Sequence, residues 1–217
     1  MARDWDVKAG QLAREAYSEG APTAWFDKLY AAGESGEVAM PWERDEPQVL
    51  LHEWAERTRL TGGGARAVVV GSGLGADAEY LASLGFATTG FDIAATAVRL
   101  AEERHPETSV DYRVADLLDL PTDLRGAFDL VVEIFTIQAL PDPPRADAIT
   151  GVRSLVAPGG TLLAIAFRHD GSEPADVGPP FPLTEHTMRS LAADGLEVVR
   201  LEEVEGARWR CEYRRTG

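Results

Sequence analysis

From Gly64 onward, short apolar runs alternate with stretches of helical period, and the rest of the reading rests on this alternation. Ala65–Gly71, Phe86–Asp92, Val110–Ala115 and AFDLVVEIF read as strands, the last apolar enough for the centre of a sheet. Between them, Ala76–Leu84 gathers Tyr80, Leu81 and Leu84 on one side, with Asp77 and Glu79 near its positive end and Gly85 as its stop. Ala94, Ala97, Val98 and Ala101 form an i, i+3, i+4, i+7 stripe that Pro106 ends. The second half continues in the same way. A helix opens at Pro144 and closes at Pro158-Gly159-Gly160, with Ile149, Val152, Leu155 and Val156 inward; TLLAIAF follows as a strand. PPFPLTEHTMRSLAADG is expected to hold a helix with Met188, Leu191 and Ala192 on its face and Gly195 at its end. LEVVRLEEVEGARWRCEYRR reads as two strands around a turn at Glu205-Gly206.

Such alternation predicts an α/β fold: a Rossmann-like, doubly wound, mostly parallel sheet of seven strands ending in an antiparallel hairpin. Upstream, PTAWFDKLYAAG puts Trp25 and Leu29 on one helical face and Phe26 and Tyr30 on another, so one face can pack on the body while the other covers a ligand. Residues 1–60 are therefore expected to be a helical lid belonging to the same domain, and 61–217 its body.

Composition narrows the function. With 217 residues and 45% hydrophobic content, the chain can bury a full core. Its 36 acidic against 21 basic residues give a net charge of −15, which disfavours nucleic acid and anionic membrane surfaces as partners and leaves a small molecule as the expected one. No apolar stretch approaches the roughly 20 residues of a bilayer span, and MARDWDVKAGQLAREAY is too charged for a secretory segment, so a cytoplasmic protein is expected. The single cysteine, Cys211, excludes an internal disulfide and any multi-cysteine metal site; no metal is expected. Oligomeric state is not legible.

The chemistry concentrates at Gly71-Ser72-Gly73-Leu74-Gly75, between a strand and a helix, where bare backbone lets a ligand approach free N–H groups. The spacing fits two patterns. Gly71, Gly73 and Ala76 satisfy the dinucleotide fingerprint, whereas Gly71, Gly73 and Gly75 satisfy the G-x-G-x-G of class I S-adenosylmethionine-dependent methyltransferases. Asp92, at the end of the second strand, suits ribose hydroxyls in either reading. Asp116, ending the third, suits an adenine edge, and Pro158-Gly159-Gly160 before TLLAIAF resembles the turn ahead of the fifth methyltransferase strand.

From Thr23 to about Val204 the chain resembles the thiopurine and halide/thiol methyltransferase group. The resemblance lies in AWFDKLYAAG…MPWERDEPQVLLHEW, in the apolar Val69 ahead of the glycine turn and in GPPFPLT at Gly178–Thr184. It implies S-adenosylmethionine as cofactor, held by Trp25, Leu29, Trp42, Gly71, Ser72, Gly73, Gly75, Asp92, Ile93, Asp116, Leu117 and Glu133. Trp25 and Trp42 would cover the sulfonium. The implied reaction is an in-line methyl transfer to a small thiol, halide or amine. Glu133 departs from the group's aspartate and can reach the cofactor's amino group or the substrate, so it is a candidate catalytic residue. His169, at the carboxyl edge past the fifth strand, is the other. His186 reads as a surface residue, and His52 and His105 as helix positions without a visible partner. Two alternatives stay open: a non-methylating displacement such as cyclisation of the cofactor's aminobutyryl chain, and a nicotinamide-dependent oxidoreductase.

Overall fold

The computed structural model describes residues 4–40, 43–169, 171 and 178–217. Its seven strands are β1 (Arg66–Val70), β2 (Ala87–Asp92), β3 (Asp111–Val114), β4 (Phe128–Ile134), β5 (Val156–Phe167), β6 (Leu196–Val204) and β7 (Arg208–Arg215). They form one sheet in the order β3-β2-β1-β4-β5-β7-β6. The first five run parallel, and β7 is antiparallel to both β5 and β6. This is the predicted architecture.

The helices are α1 (Asp4–Ser18), α2 (Trp25–Glu34), α3 (Val49–Thr58), α4 (Ala76–Ser83), α5 (Ala95–Arg104), α6 (Pro144–Leu155) and α7 (Glu185–Ser190). Strand side chains alternate between two faces, which sorts the core into two layers. Val68, Val70, Val131, Leu162 and Ala164 pack with α6 and α7 on one face. Ala67, Val69, Val132, Leu163 and Ile165 pack with α3, α4 and α5 on the other. A third cluster lies apart from the sheet: Ala9, Leu12, Ala13 and Ala16 of α1 close on Trp25, Leu29 and Tyr30 of α2, on Ala97 of α5 and on Ala94 just ahead of it.

Three expectations need correction. The fifth strand starts at Val156 rather than Thr161, because Val156 already pairs with Phe128 and Pro158-Gly159-Gly160 is absorbed as an irregularity within the ladder. Gly159 takes φ 71°, and a Cβ on Gly160 would stand 2.8 Å from the Phe128 carbonyl oxygen. The late helix is only the six residues of α7, opened by the Thr184 side chain accepting from Thr187 N at 3.1 Å; GPPFPLT before it is a loop bridged to Arg168 at Leu183. The two faces of α2 expected to divide between body and ligand are not separate, since Tyr30 is buried along with Trp25 and Leu29 in one cluster with α1.

Candidate active site

The sheet order reverses between β1 and β4, where a crevice opens at the carboxyl ends of the strands of an open α/β fold. Two turns meet there. After β1, Gly71, Gly73 and Gly75 adopt φ 60°, 53° and 94°, a conformation that costs L side chains roughly 1–2 kcal/mol each. Close packing adds a second constraint: a Cβ on Gly71 would sit 2.5 Å from Thr136 Oγ1, and one on Gly75 would collide with the Tyr112 hydroxyl. The turn after β4 is tied to the first by Thr136, whose hydroxyl donates to Val70 O at 3.0 Å.

Each turn is organised by a buried carboxylate. Asp92, 6% exposed, accepts Gly73 N at 3.0 Å and Ala94 N at 2.9 Å, joining the glycine turn to the start of α5. Burial raises its pKa, the hydrogen bonds from Ala94, Gly73 and Ile93 oppose that, and Asp27 adds to the rise. Glu133, 1% exposed, accepts Thr136 N at 2.7 Å and Ile137 N at 2.9 Å through one oxygen, capping a short 3-10 turn at Ile137–Ala139. Desolvation pushes its pKa to about 7 against those two hydrogen bonds. Phe135, between the two strand-end features, holds φ 63° and stacks on Phe167 at 4.8 Å.

Over the crevice lies the pair α1–α2. Asp27 of α2 accepts Thr96 N of α5 at 2.8 Å, and Glu34 pairs with Arg99 at 2.7 Å, so α2 is moored beside the Asp92 turn. Trp25 is 3% exposed and stacks on Phe26 at 4.0 Å. Beyond α2, Arg44 grips the first turn of α4 through both oxygens of Asp77, at 3.0 and 2.6 Å, and Asp77 also accepts Gln48 N at 2.7 Å. That clamp fixes the chain leading into α3 directly behind the glycine turn.

The predicted residues divide accordingly. Gly71, Ser72, Gly73, Gly75, Asp92, Ile93 and Glu133 come together at the crevice. Asp116 follows β3, where its carboxylate accepts Leu118 N at 2.8 Å, and Leu117 is buried beside Gly151 of α6. Leu29 has no exposed surface and lies inside the α1–α2 cluster. Trp42 lies outside the described residues. Glu133 is level with Ala164, three residues or ~10 Å along the strand before the end of β5, and His169 lies two residues past that end. Its backbone N–H is bonded to Leu183 O, and its Nδ1 accepts from Gly171 N at 3.2 Å. His105 does have a partner, since its Nε2 lies 3.2 Å from Leu74 O in the glycine turn, and His52 stands 3.7 Å from Glu56. His186 is exposed, as expected.

Sequence reasoning missed Tyr17, Thr136 and Arg145 at this end of the sheet. Tyr17 follows a stripe at Ala9, Leu12, Ala13 and Ala16 whose i, i+3, i+4, i+7 spacing is a legible helical signal. Thr136 and Arg145 carry no comparable mark.

Three polar atoms are buried with no hydrogen-bond partner among the described residues at this end of the fold: Tyr17 Oη, Trp25 Nε1 and Ser72 Oγ. An unpaired buried donor costs roughly 1–3 kcal/mol. Together with the glycine cradle, Trp25 Nε1 and Ser72 Oγ fit an adenosyl cofactor bearing several acceptors, which would use groups the protein leaves unpaired.

Comparisons with known proteins agree with this geometry. Residues 67–160 match the family described as "Methyltransferase domain". A ubiquinone biosynthesis O-methyltransferase of Xanthomonas campestris pv. campestris (strain B100) is 37% identical over 131 residues, 56% of this chain and 53% of the relative. The chain thus spans about half the length of the curated relatives it matches. A structure solved in work on the conversion of a disulfide bond into a thioacetal group during echinomycin biosynthesis superimposes with TM-score 0.74 at 23% identity, over 89% of this chain and 91% of that one. The N-methyltransferase NodS from Bradyrhizobium japonicum WM9, in complex with S-adenosyl-L-homocysteine, superimposes with TM-score 0.66 at 20% identity, over 87% and 98%. These likenesses show the fold: a Rossmann-like methyltransferase fold with a seven-stranded mixed sheet, an antiparallel C-terminal hairpin and N-terminal helices.

Proposed function

We propose that this chain, which carries a methyltransferase domain over residues 67–160 on the class I methyltransferase fold, is an S-adenosylmethionine-dependent methyltransferase acting on a small molecule. The observation that carries the reading is the pairing of the Gly71–Gly75 turn with Asp92, a carboxylate that braces Gly73 and Ala94 at the switch point of the sheet. When bound, the cofactor supplies a methyl group activated by a sulfonium centre.

The protein's own part is binding and orientation. Gly71, Ser72, Gly73 and Gly75 offer backbone to the cofactor's amino-acid portion, Asp92 and Ile93 take the ribose, and Asp116 and Leu117 take the adenine. Glu133 holds the turn after β4 against the glycine turn and offers its buried carboxylate to the cofactor's amino group; this role replaces that of a general base. Residues 1–60 act as the lid and 61–217 as the body, with Trp25, Leu29 and Trp42 excluding water so that the acceptor is held collinear with the scissile bond. His169 belongs to the outer rim rather than to the reacting centre.

The acceptor is a small nucleophile. The N-terminal resemblance supports sulfur, halide or nitrogen, and the name of the curated relatives adds oxygen. Calorimetric titration tests the cofactor, with S-adenosylhomocysteine expected to bind and NAD+ not. Product analysis with S-adenosylmethionine tests the reaction. Formation of S-adenosylhomocysteine is expected; methylthioadenosine in its place would mean cyclisation and overturn methyl transfer.

A further inference from the structure

Arg145 opens α6 just beyond the turn that Glu133 caps, and it is a buried cation, 7% exposed. Its Nε donates to Leu140 O at 2.9 Å, and its guanidinium carbon stands 5.2 Å over the ring of Phe181, which GPPFPLT contributes. The carboxylate that pairs with it, Asp142 at 3.2 Å, has a side chain 69% exposed. The burial of Arg145 is thus poorly matched by its counter-ion, although the protein as a whole carries a charge of −15.

Tyr17 belongs to the same end of the crevice. It packs against the α1–α2 cluster, the same cluster on which Leu74 of the glycine turn and Ala139 of the turn after β4 pack, and its hydroxyl is buried without a hydrogen-bond partner among the described residues. Burial pushes its pKa up to about 12, with the charge of Arg145 opposing the rise, so the phenol is a neutral donor at physiological pH. Phe26 touches both this cluster and the main core, giving the place an aromatic wall. An unused donor, an under-compensated guanidinium and aromatic rings call for one kind of ligand, a flat molecule bearing an oxyanion.

We propose that Tyr17 and Arg145 recognise the anionic group of the methyl acceptor, an aromatic acid or phenolate seated between the lid and the turn after β4; this rests on the methyltransferase reading above. The cofactor's own carboxylate offers the same chemistry, and the test separates the two sources. Wild type and Tyr17→Phe are titrated by calorimetry with 3,4-dihydroxybenzoate and with neutral catechol, each with and without S-adenosylhomocysteine, and the thermal unfolding of the free proteins is compared.

Because the Tyr17 hydroxyl has no partner, Tyr17→Phe is expected to unfold at the same temperature as wild type or higher. The acid is expected to bind wild type at least tenfold more tightly than catechol, and Tyr17→Phe is expected to lose about tenfold of the acid's affinity and none of catechol's. Equal binding of acid and catechol overturns the proposal, as does an unchanged acid affinity in Tyr17→Phe. A loss in Tyr17→Phe confined to S-adenosylhomocysteine also overturns it, by assigning the pair to the cofactor. A wild type that takes up the acid as expected but never binds S-adenosylhomocysteine leaves the oxyanion site standing and sinks the methyltransferase reading instead.

Discussion

Asp92 and Glu133 are both buried carboxylates on backbone N–H groups, yet they predict different experiments. Asp92→Ala removes the brace of the glycine turn together with the expected ribose acceptor. S-adenosylhomocysteine affinity should fall by the equivalent of one or two charge-assisted bonds, each about 1.5–3 kcal/mol, and an unchanged dissociation constant by calorimetry would take Asp92 out of the site. Glu133 is better tested by pH. Its pKa is raised from 4.5 to about 7, so the native state holds this proton while the unfolded chain has released it. Stability from this group is therefore complete below pH 4.5, declines as pH rises toward 7 and is level above that, a total of about 3 kcal/mol. Glu133→Gln keeps an acceptor for Thr136 and Ile137 but does not titrate. Urea unfolding across this window should show the wild type losing stability relative to Glu133→Gln; parallel curves would refute the shift. Asp92, also raised by burial, acts in the same direction in both proteins and cancels in the comparison. Both acids were legible because Asp92 ends an apolar run and Glu133 breaks one near its end. Their partners were not, since nothing in the local sequence announces that Gly73 or Ile137 will fold back onto them.

Among the elements, the glycine turn was the most legible and the helix pair α1–α2 the least. Positive φ at three glycines follows from their spacing after a strand, whereas the collision awaiting a side chain at Gly71 comes from Thr136, 65 positions away. The clamp of Arg44 on Asp77 has the same character: sequence placed Asp77 at a helix N-terminus for its dipole, but the structure also makes it the anchor of the segment entering α3. Asp77 is 6% exposed, so Arg44→Ala leaves a buried carboxylate with Gln48 N–H as its remaining partner outside α4 among the described residues. We expect a loss of roughly 1–3 kcal/mol and faster amide exchange over residues 43–48, measured by hydrogen–deuterium exchange. Exchange in that segment equal to wild type would show that the clamp does not hold it. The length of β5 escaped the sequence for a related reason. Pro158-Gly159-Gly160 is a turn by local rule, yet β4 alongside supplies ladder partners on both sides of it.

At the scale of the molecule, the chain's last strand is an interior one. β7 pairs with β5 on one side and β6 on the other, and Trp209, Cys211 and Tyr213 are buried in the main core. Trp54 of α3 donates to Glu212 at 2.9 Å, and Arg210 bonds Glu53 and Glu202 at 3.1 Å, so the N-terminal and C-terminal parts close on each other. Truncation after Val204 should therefore abolish cooperative unfolding rather than trim an edge, which circular dichroism during thermal denaturation reads directly. A cooperative transition near that of the full chain would contradict this.

By itself the sequence determined the order and kind of the elements of the body, the position of the glycine turn and the acids beside it, because hydrophobic period, glycine conformation and strand-end placement are local properties. Only the tertiary structure decided which buried groups face one another. The burial of the Tyr17 hydroxyl against the α1–α2 cluster, the weak compensation of Arg145 and the seating of Glu133 on the turn it caps all depend on how the helices and strand ends are stacked. Contacts between residues far apart in the chain arise when apolar faces bury together, and the pattern along the chain specifies each face without naming its partner.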